Sequence, residues 1–422
     1  MVEGYIDPER WPGVARAPEA PFLGARAEAV RNRLEELLAS SGVALSSAGT
    51  PNFLVRDGLV LDRIVAGGWV GLAEGYMAGE WTADPLPEVL RVLLTQPFEK
   101  GLGRALSRRS RPSTGEVRAG ELPGDLVDLY AGRTAATGSA VFHSGTRTSE
   151  TVVVEGREGR YPVEVSYCDA PEDIDRRDLD PAQVNRITGM LDTAGVGPGS
   201  RVLELQSSGG QLAVLAARRG ASVDVLTADE DHAARVRSLV READVAGAVR
   251  VETIRGPVPS PRQWSGEYDA VVSVERMETL GDAGTVHVLG AVERMLAPGG
   301  TAVIQSLTTP SDLPRGLRAV AGESLDPVRA YMWPALSYPT VEHVREAAET
   351  SSLRVVAENH IGSHLAATVR LWRSVFLSRE RQAAAAGFDV AYRRLWDFQL
   401  ALHEALISAG AVDCVQFTLR RR

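Results

Sequence analysis

Residues 201–231 are the stretch that most constrains how this chain can fold. Residues 202–205 form a short apolar run of the kind found in buried parallel strands. A Gly/Ser turn follows at 207–210, and the next residues have helical spacing up to Gly220. Residues 223–226 form a second apolar run. The order strand, glycine turn, helix, strand predicts the start of a doubly wound α/β sheet, in which ligands bind beyond the carboxyl ends of the strands.

The same alternation continues along the chain. It predicts strands at 249–252, 268–274, 301–306 and 353–359 and helices at 181–194, 229–242, 285–296, 341–351, 365–377 and 388–408. Upstream, apolar residues spaced by three and four predict a helix over 24–41. Valines on both sides of a Glu-Gly-Arg-Glu-Gly turn predict a β-hairpin over 151–167.

Length and charge exclude several classes of protein. The chain has 422 residues, enough for two or three domains, and its net charge of −9 gives no general attraction to nucleic acid. Two cysteines, Cys168 and Cys414, indicate neither a disulfide framework nor a zinc site, so we expect a cytoplasmic protein. We see no signal peptide and no apolar run long enough to span a membrane. A basic cluster at 104–111 is either a solvated loop or a contact for phosphate headgroups.

Several segments resemble one family of enzymes. Glu204 ends the first strand, where class I methyltransferases often carry an acid before a G-x-G-x-G turn. The chain is similar to the cyclopropane-fatty-acyl-phospholipid synthase family, and most similar to its actinobacterial branch that makes 10-methyl (tuberculostearic-type) fatty acids. The segments that carry this resemblance are 9–15 (ERWPGVA), 71–81 (GLAEGYMAGEW), 272–278 (VSVERME), 298–300 (PGG), 304–308 (IQSLT), 331–334 (YMWP), 338–340 (YPT) and 395–417, which matches the closing helix of the family.

The resemblance implies a fold and a domain organisation. It predicts an α/β Rossmann-like class I methyltransferase sheet with a smaller, mostly helical N-terminal domain. The expected divisions are an N-terminal arm (1–22), a helical domain associated with lipid substrate (23–100), a linker with helices (101–150) and a methyltransferase-like domain with closing helices (151–422).

The resemblance also implies a chemistry. In this family the double bond of an acyl chain attacks the methyl group of S-adenosylmethionine, and a carbocation in an apolar tunnel then loses a proton to a base or to bound bicarbonate. Glu278 stands at the family's acidic, bicarbonate-holding position, and Cys168 lies close to the cysteine of its Y-S-C-A segment. The alternative interpretations are a glutamate at a helix start and a small buried thiol.

Two further groups of site residues follow from the resemblance. The expected cofactor-binding residues are Glu204, Gln206, Ser208, Gly210, Thr227 and His232. The expected substrate-binding residues are Tyr76, Trp81, Gln305, Tyr331, Leu365, Trp372 and His403. Without the resemblance, His232 is a surface helix residue and His403 is a packing residue.

The cofactor side departs from the family pattern at several positions. Gln206 and Ser208 replace two glycines of the turn, and a side chain at either position keeps the backbone further from a ligand. His232 stands where the family has glutamine, and Arg255 stands where it has an acidic segment. On the substrate side, Leu365 replaces a tyrosine. These changes predict an atypical cofactor pocket.

Three hypotheses remain open from the sequence. The first is a methyl or methylene transferase that uses S-adenosylmethionine on the double bond of an unsaturated fatty-acyl or phospholipid chain. The second is a cofactor-independent isomerase or cyclase on a similar hydrophobic substrate, and the third is a non-catalytic lipid-binding partner subunit. The resemblance further implies peripheral membrane contact and either a partner reductase or a homo-oligomer.

Overall fold

The structure is a computed structural model that describes residues 6–44, 51–99, 122–131 and 137–422. The arginine cluster at 104–111 lies outside these ranges. Among the described residues the α-helices are α1 (Pro12–Ala15), α2 (Leu23–Ser40), α3 (Leu59–Gly67), α4 (Trp69–Ala78), α5 (Leu86–Leu93), α6 (Gly124–Tyr130), α7 (Leu179–Thr193), α8 (Gln211–Arg218), α9 (Glu230–Glu242), α10 (Gly281–Met295), α11 (Arg315–Ser324), α12 (Asp326–Tyr331), α13 (Val341–Thr350), α14 (Gly362–Ser378), α15 (Glu380–Ala385) and α16 (Val390–Ser408).

The strands form one small sheet and one large sheet within the same ranges. They are β1 (Asn52–Val55), β2 (Trp81–Asp84), β3 (Arg147–Gly156), β4 (Gly159–Cys168), β5 (Arg201–Leu205), β6 (Ser222–Thr227), β7 (Val249–Thr253), β8 (Tyr268–Val274), β9 (Leu296–Thr308), β10 (Leu353–His360) and β11 (Asp413–Arg421). Strands β1 and β2 pair with each other, and the other nine lie in the order β3-β4-β10-β11-β9-β8-β5-β6-β7.

The large sheet confirms the predicted α/β organisation. Strands β5 to β9 pair in parallel, and β5 lies between β6 and β8, which makes its carboxyl end the switch point of the sheet. The predicted hairpin is β3 and β4, and β4 pairs in parallel with β10. The predicted Pro-Gly-Gly turn is looped out of β9, because Tyr268 pairs with Leu296 while Ala270 pairs with Thr301.

Strand β11 was not expected, and it corrects the prediction of a closing helix over 395–417. Helix α16 ends at Ser408, and residues 413–417 lie in β11, antiparallel to both β9 and β10. The sequence 415–420 alternates apolar and polar residues, which suits a strand better than a helix.

Successive residues of a strand point to opposite faces of the sheet. Because the central strands are apolar along most of their length, both faces of the large sheet carry apolar side chains. On one face Val202, Val272 and Val303 pack with α7 and α8. On the other face Leu203, Val271 and Ile304 pack with α10 and α13. The apolar sequence of 268–274 predicted a central strand, and β8 is such a strand, with both of its faces covered.

The chain divides into two compact units. The first contains residues 1–119, 312–334 and 376–411, and the second contains 120–311, 335–375 and 412–422. The expected division placed 151–422 in one domain, whereas the structure places 312–334 and 376–411 with the N-terminal residues. Within the described ranges, no helix combines the length and the apolar composition that crossing a membrane requires.

Candidate active site

The turn after β5 keeps a glycine-like backbone although it has lost two glycines. Gln206 has a φ of 60°, in the left-handed region that side chains disfavour, and Gly209 and Gly210 have φ values of 122° and 90°. A Cβ atom on Gly210 would come within 2.9 Å of Val236 Cγ1, so the second glycine is required for packing against α9. The turn therefore leads directly into α8, which begins at Gln211.

Glu204 holds this turn from the end of β5. Its Oε1 atom accepts hydrogen bonds from the backbone N–H of Ser208 at 2.7 Å and from Ser208 Oγ at 3.1 Å. Burial raises the pKa of Glu204, and the hydrogen bonds from Ser208 oppose that rise. The second oxygen, Oε2, is buried and has no hydrogen-bond partner among the described residues. A buried carboxyl with one unused oxygen can accept a donor from a ligand.

A cavity of about 410 Å³ lies beside the turn. Gly209 from the turn, His232 and Arg235 from α9, Val127 from α6 and Arg276 line it. This volume is within the range of small-molecule sites, about 300–1,000 Å³. Of the six expected cofactor residues, His232 lines this cavity, whereas Glu204, Gln206, Ser208, Gly210 and Thr227 do not, and neither does Arg255.

The other expected cofactor residues lie on neighbouring elements. Thr227 ends β6 and is buried, and its Oγ1 atom accepts a hydrogen bond from the backbone N–H of Asp229 at 3.2 Å. The N–H of His232 donates to Asp229 Oδ1 at 2.9 Å, so Asp229 caps α9 and orients its first turn. Arg255 follows β7 and is exposed to solvent.

Glu278 lies in a short turn of 3-10 helix directly after β8 and is fully buried. Ser306 Oγ donates to its Oε2 atom at 2.8 Å, and the N–H of Leu307 donates to Oε1 at 3.3 Å. Burial, and then the negative charge of Glu275, raise the pKa of Glu278 to about 7. A carboxyl with this pKa can hold or release a proton near neutral pH.

Glu275 was not selected from the sequence, although it lies inside the matched segment 272–278. It follows the last residue of β8 with a φ of 48°. Its Oε1 atom accepts hydrogen bonds from the backbone N–H of Ser139 and from Gln305 Nε2, both at 2.7 Å. Left-handed backbone at a non-glycine residue is a signal of constraint, but it is visible only in the structure.

Arg186 on α7 is a second functional candidate that the sequence analysis missed. Its guanidinium is completely buried, and none of its three nitrogen atoms has a hydrogen-bond partner among the described residues. Burial lowers the pKa of Arg186, while the charges of Glu275, Cys414 and Glu204 oppose that change. Arg186 is thus a buried positive charge that interacts electrostatically with both Glu275 and Glu204.

The structure does not bring Cys168 next to Glu278. Cys168 ends β4, which is separated from β8 by three strands, or four inter-strand steps of about 4.8 Å each. The sulfur that lies near the acids is Cys414 Sγ, 3.6 Å from Glu275 Oε1, and burial raises the pKa of this thiol. Cys168 Sγ instead donates to Asn359 Oδ1 at 3.6 Å.

Three expected substrate residues lie in the second unit. Gln305 on β9 is fully buried and contacts Glu275, as described above. Leu365 and Trp372 lie on α14 and are buried, and Trp372 packs edge-on against Tyr130 with ring centroids 5.1 Å apart. Trp372 Nε1 has no hydrogen-bond partner among the described residues.

The other four expected substrate residues lie in the first unit, where each has a polar partner. Tyr76 donates to Asp397 at 2.6 Å, Trp81 donates to the carbonyl of Leu72 at 2.8 Å, Tyr331 donates to Glu74 at 2.6 Å, and His403 Nδ1 lies 2.8 Å from the carbonyl of Gln399. Burial and the charge of Glu74 raise the pKa of the Tyr331 hydroxyl, which keeps it protonated as a donor. These contacts use the side chains inside their own unit.

Comparison with known proteins assigns the family. Residues 164–417 match the family described as mycolic acid cyclopropane synthetase. The chain belongs to this family. The match spans β4 to β11 and so includes the turn after β5, the two acids after β8 and Arg186.

Two curated relatives align over most of the chain. The tuberculostearic acid methyltransferase UfaA1 of Mycobacterium tuberculosis H37Rv is 29% identical, over 99% of this chain and 96% of the relative. The cyclopropane-fatty-acyl-phospholipid synthase of Escherichia coli K12 is 21% identical, over 86% of each chain. These matches confirm the resemblance predicted from segments 71–81 and 272–278.

Solved structures confirm the fold. The cyclopropane synthase MmaA2 from Mycobacterium tuberculosis has a TM-score of 0.57 at 21% identity, covering 71% of this chain and 94% of that chain. The mycolic acid cyclopropane synthase CmaA1, complexed with SAH and CTAB, has the same TM-score at 20% identity. The predicted α/β class I methyltransferase fold is therefore confirmed, and the family membership confirms the predicted class of enzyme, a methyltransferase-like enzyme that depends on S-adenosylmethionine.

Proposed function

We propose that this protein transfers a methyl or methylene group from S-adenosylmethionine to the double bond of an unsaturated fatty-acyl chain. Family membership supports the reaction class, and the full-length alignment with a tuberculostearic acid methyltransferase supports an acyl substrate. The cofactor-independent isomerase and the non-catalytic subunit remain as alternative outcomes of the test below.

The observation that carries this proposal is the pair of carboxyl groups directly after β8. Methylation of a double bond leaves a carbocation on the acyl chain, and the reaction ends when that cation loses a proton. Such a site needs negative charge near the cation and a group that accepts a proton near neutral pH. Glu275 and Glu278 place two carboxyl groups together at this point, and the negative charge of Glu275 contributes to raising the pKa of Glu278 to about 7.

The residues around the turn after β5 fit a nucleoside cofactor. The cavity volume suits a small molecule, and Gly209 and His232 line it; Glu204 Oε2, a buried acceptor without a partner among the described residues, is not among the lining atoms. Gly209, His232 and Arg276 are the lining residues that would contact the cofactor, and Glu204 would hold the turn in shape. When bound, S-adenosylmethionine supplies an electrophilic methyl group.

Other expectations from the family remain predictions. They are a bicarbonate requirement, peripheral membrane contact, a partner reductase or homo-oligomer, and substrate contacts by Leu365, Trp372 and the first-unit residues. Leu365 and Trp372 are buried on α14, as a water-free site for an acyl chain would require of its apolar residues.

The test uses the purified protein, S-adenosylmethionine with a labelled methyl carbon, and phospholipid vesicles with monounsaturated chains. We expect labelled carbon in the released fatty acids, and none with vesicles of saturated phospholipid, which are the matched control. Calorimetric titration with the demethylated cofactor should give binding. Conversion of the unsaturated chain without cofactor would favour the isomerase or cyclase. If the protein neither binds the cofactor nor converts the chain, the non-catalytic subunit is the hypothesis that remains.

A further inference from the structure

Three side-chain amides form a row across the large sheet. Asn359 on β10 lies opposite Gln416 on β11, and Gln416 lies opposite Gln305 on β9. Asn359 Nδ2 donates to Gln416 Oε1 at 2.9 Å, and Gln416 Nε2 donates to Gln305 Oε1 at 2.9 Å. We call Asn359, Gln416 and Gln305 the amide row.

The amide row ends at Glu275 on one side. Gln305 Nε2 donates to Glu275 Oε1 at 2.7 Å and to the carbonyl of Ser139 at 3.2 Å, so both hydrogens of this amide are used. At the other end, Ser166 Oγ and Cys168 Sγ donate to Asn359 Oδ1 at 2.9 and 3.6 Å. The row therefore connects the end of β4 with the end of β8.

The acceptors at the Glu275 end fix the direction of every amide in the row. The carbonyl of Ser139 can only accept a hydrogen bond, so Gln305 presents its NH₂ group to Ser139 and to Glu275. Gln305 Oε1 then faces Gln416, which must present its own NH₂ group, and the same argument applies to Asn359. It follows that Asn359 Oδ1 faces Ser166 Oγ and Cys168 Sγ and accepts a hydrogen bond from each.

The two oxygens of Glu275 have different surroundings. Oε1 accepts from Gln305 Nε2, from the N–H of Ser139 and from Cys414 Sγ, which saturates it. Oε2 accepts no hydrogen bond from any residue that the structure describes, and Glu275 is half-buried rather than buried. Glu278 differs on both counts, since it is buried and both of its oxygens are hydrogen-bonded.

Two charged neighbours of Glu275 respond to its negative charge. Arg186, a buried cation without a hydrogen-bond acceptor in the described part of the chain, is attracted first of all by Glu275. The charge of Glu275 in turn raises the pKa of Glu278, which favours the protonated form of that neighbour. The two carboxyls therefore differ in their hydrogen bonds, in their burial and in the charges they face, which suits them to different roles in one site.

We propose that Glu275 is a catalytic carboxylate whose Oε2 atom accepts the proton that the acyl cation loses, and that the amide row positions it. This inference rests on the proposed function. In the step, a C–H bond next to the cationic carbon breaks, its electron pair forms a carbon–carbon bond to that carbon, and the proton bonds to Glu275 Oε2. The row holds Oε1 on the sheet, which leaves Oε2 as the oxygen directed away from it.

The first part of the test separates Glu275 from Glu278 without requiring turnover. A carbodiimide with an amine nucleophile modifies accessible carboxyl groups, and peptide mapping locates them. We expect modification of Glu275 and none of Glu278. Absence of modification at Glu275 would overturn the proposal, since its free oxygen would then be closed to a ligand.

The second part is a double-mutant cycle on the transfer reaction. Glu275→Gln should lower kcat by about 100-fold or more, the usual contribution of a general base, with calorimetric binding of the demethylated cofactor unchanged. Gln416→Met keeps the side-chain volume but cannot donate to Gln305, so kcat should fall while KM holds. In the Glu275→Gln background the same change should have no further effect, because the row then has nothing to position.

Thr418→Val is the matched control, since Thr418 lies two residues along β11 from Gln416 and takes no part in the amide row. It should leave kcat unchanged. A Glu275→Gln variant with kcat within about threefold of wild type, or additive effects in the cycle, would overturn the inference. If the wild-type chain transfers no label, the proposed function has failed and the catalytic role of Glu275 fails with it.

Discussion

Replacing Glu278 with glutamine should change how the stability of the protein depends on pH. Burial and the charge of Glu275 raise the pKa of this carboxyl from 4.5 to about 7. A carboxyl whose pKa is raised on folding binds its proton more tightly in the folded state than in the unfolded state. Its ionisation therefore destabilises the fold progressively as the pH rises through that interval, and not below it.

The magnitude follows from the size of the shift. One pKa unit is equivalent to about 1.4 kcal/mol, so ionisation of Glu278 costs the folded state about 1 kcal/mol at about pH 5 and about 3 kcal/mol at about pH 8. The glutamine variant lacks this cost. Its amide NH₂ meets the N–H of Leu307 unfavourably, but that loss is the same at both pH values and cancels in the comparison. The unfolding free energy of Glu278→Gln relative to wild type should therefore rise by about 2 kcal/mol between them.

Equilibrium urea denaturation at the two pH values, followed by circular dichroism, measures this difference. Glu267→Gln is the matched control, because Glu267 is an exposed glutamate immediately before β8 and should give the same relative stability at both pH values. A relative stability of Glu278→Gln that stays constant to within about 0.5 kcal/mol, or that falls with pH, would refute the reasoning.

Three further predictions concern the packing of the first unit and the turn after β5. Arg63→Met removes the hydrogen bonds from a buried arginine to Glu80 at 2.9 Å, so thermal denaturation should show a loss of about 3–5 kcal/mol; a loss below about 1 kcal/mol would contradict this. Gly71→Ala places a Cβ atom in a direct clash with the carbonyl oxygen of Arg63 and should prevent soluble expression, whereas Gly24→Ala, on an open face of α2, should stabilise the protein by about 0.5–1 kcal/mol. Gln206→Gly should relieve left-handed strain and bind the demethylated cofactor at least as tightly as wild type in calorimetry; weaker binding would mean that the glutamine side chain itself contacts the cofactor.

The sequence predicted the elements whose signal is local. The apolar runs at 202–205, 223–226 and 268–274 correspond to β5, β6 and β8, because a parallel strand buried on both faces is apolar along its whole length. The helices that cover the sheet were equally visible as spacing of three and four. These signals need no knowledge of distant residues.

The arrangement of the site could not be predicted because its contacts join distant parts of the chain. Glu275 depends on Ser139 and Gln305, which are 136 and 30 residues away in sequence. Gln416 was assigned to a closing helix from the resemblance, although the alternation in 415–420 favours a strand. The amide row needs β11, which carries Gln416. The wrong prediction of a closing helix over 395–417 therefore hid both the row and the role proposed for Glu275 at its end.

The turn after β5 bears on whether cofactor use has been lost. Gln206 holds a left-handed backbone that costs a side-chain-bearing residue about 1–2 kcal/mol, and its side-chain Oε1 is buried without a partner among the described residues. Such a residue persists only where its surroundings fix the conformation. Here Ser208 donates twice to Glu204, and the N–H of Ser207 donates to the carbonyl of Leu226 at 2.9 Å, so β5 and β6 together impose the shape. The turn thus keeps the backbone shape of a glycine turn although Gln206 and Ser208 are not glycines. That shape brings the backbone close to a nucleoside, and it is retained at a cost in conformational free energy. Its retention therefore favours a transferase that still uses its cofactor over a descendant that no longer does.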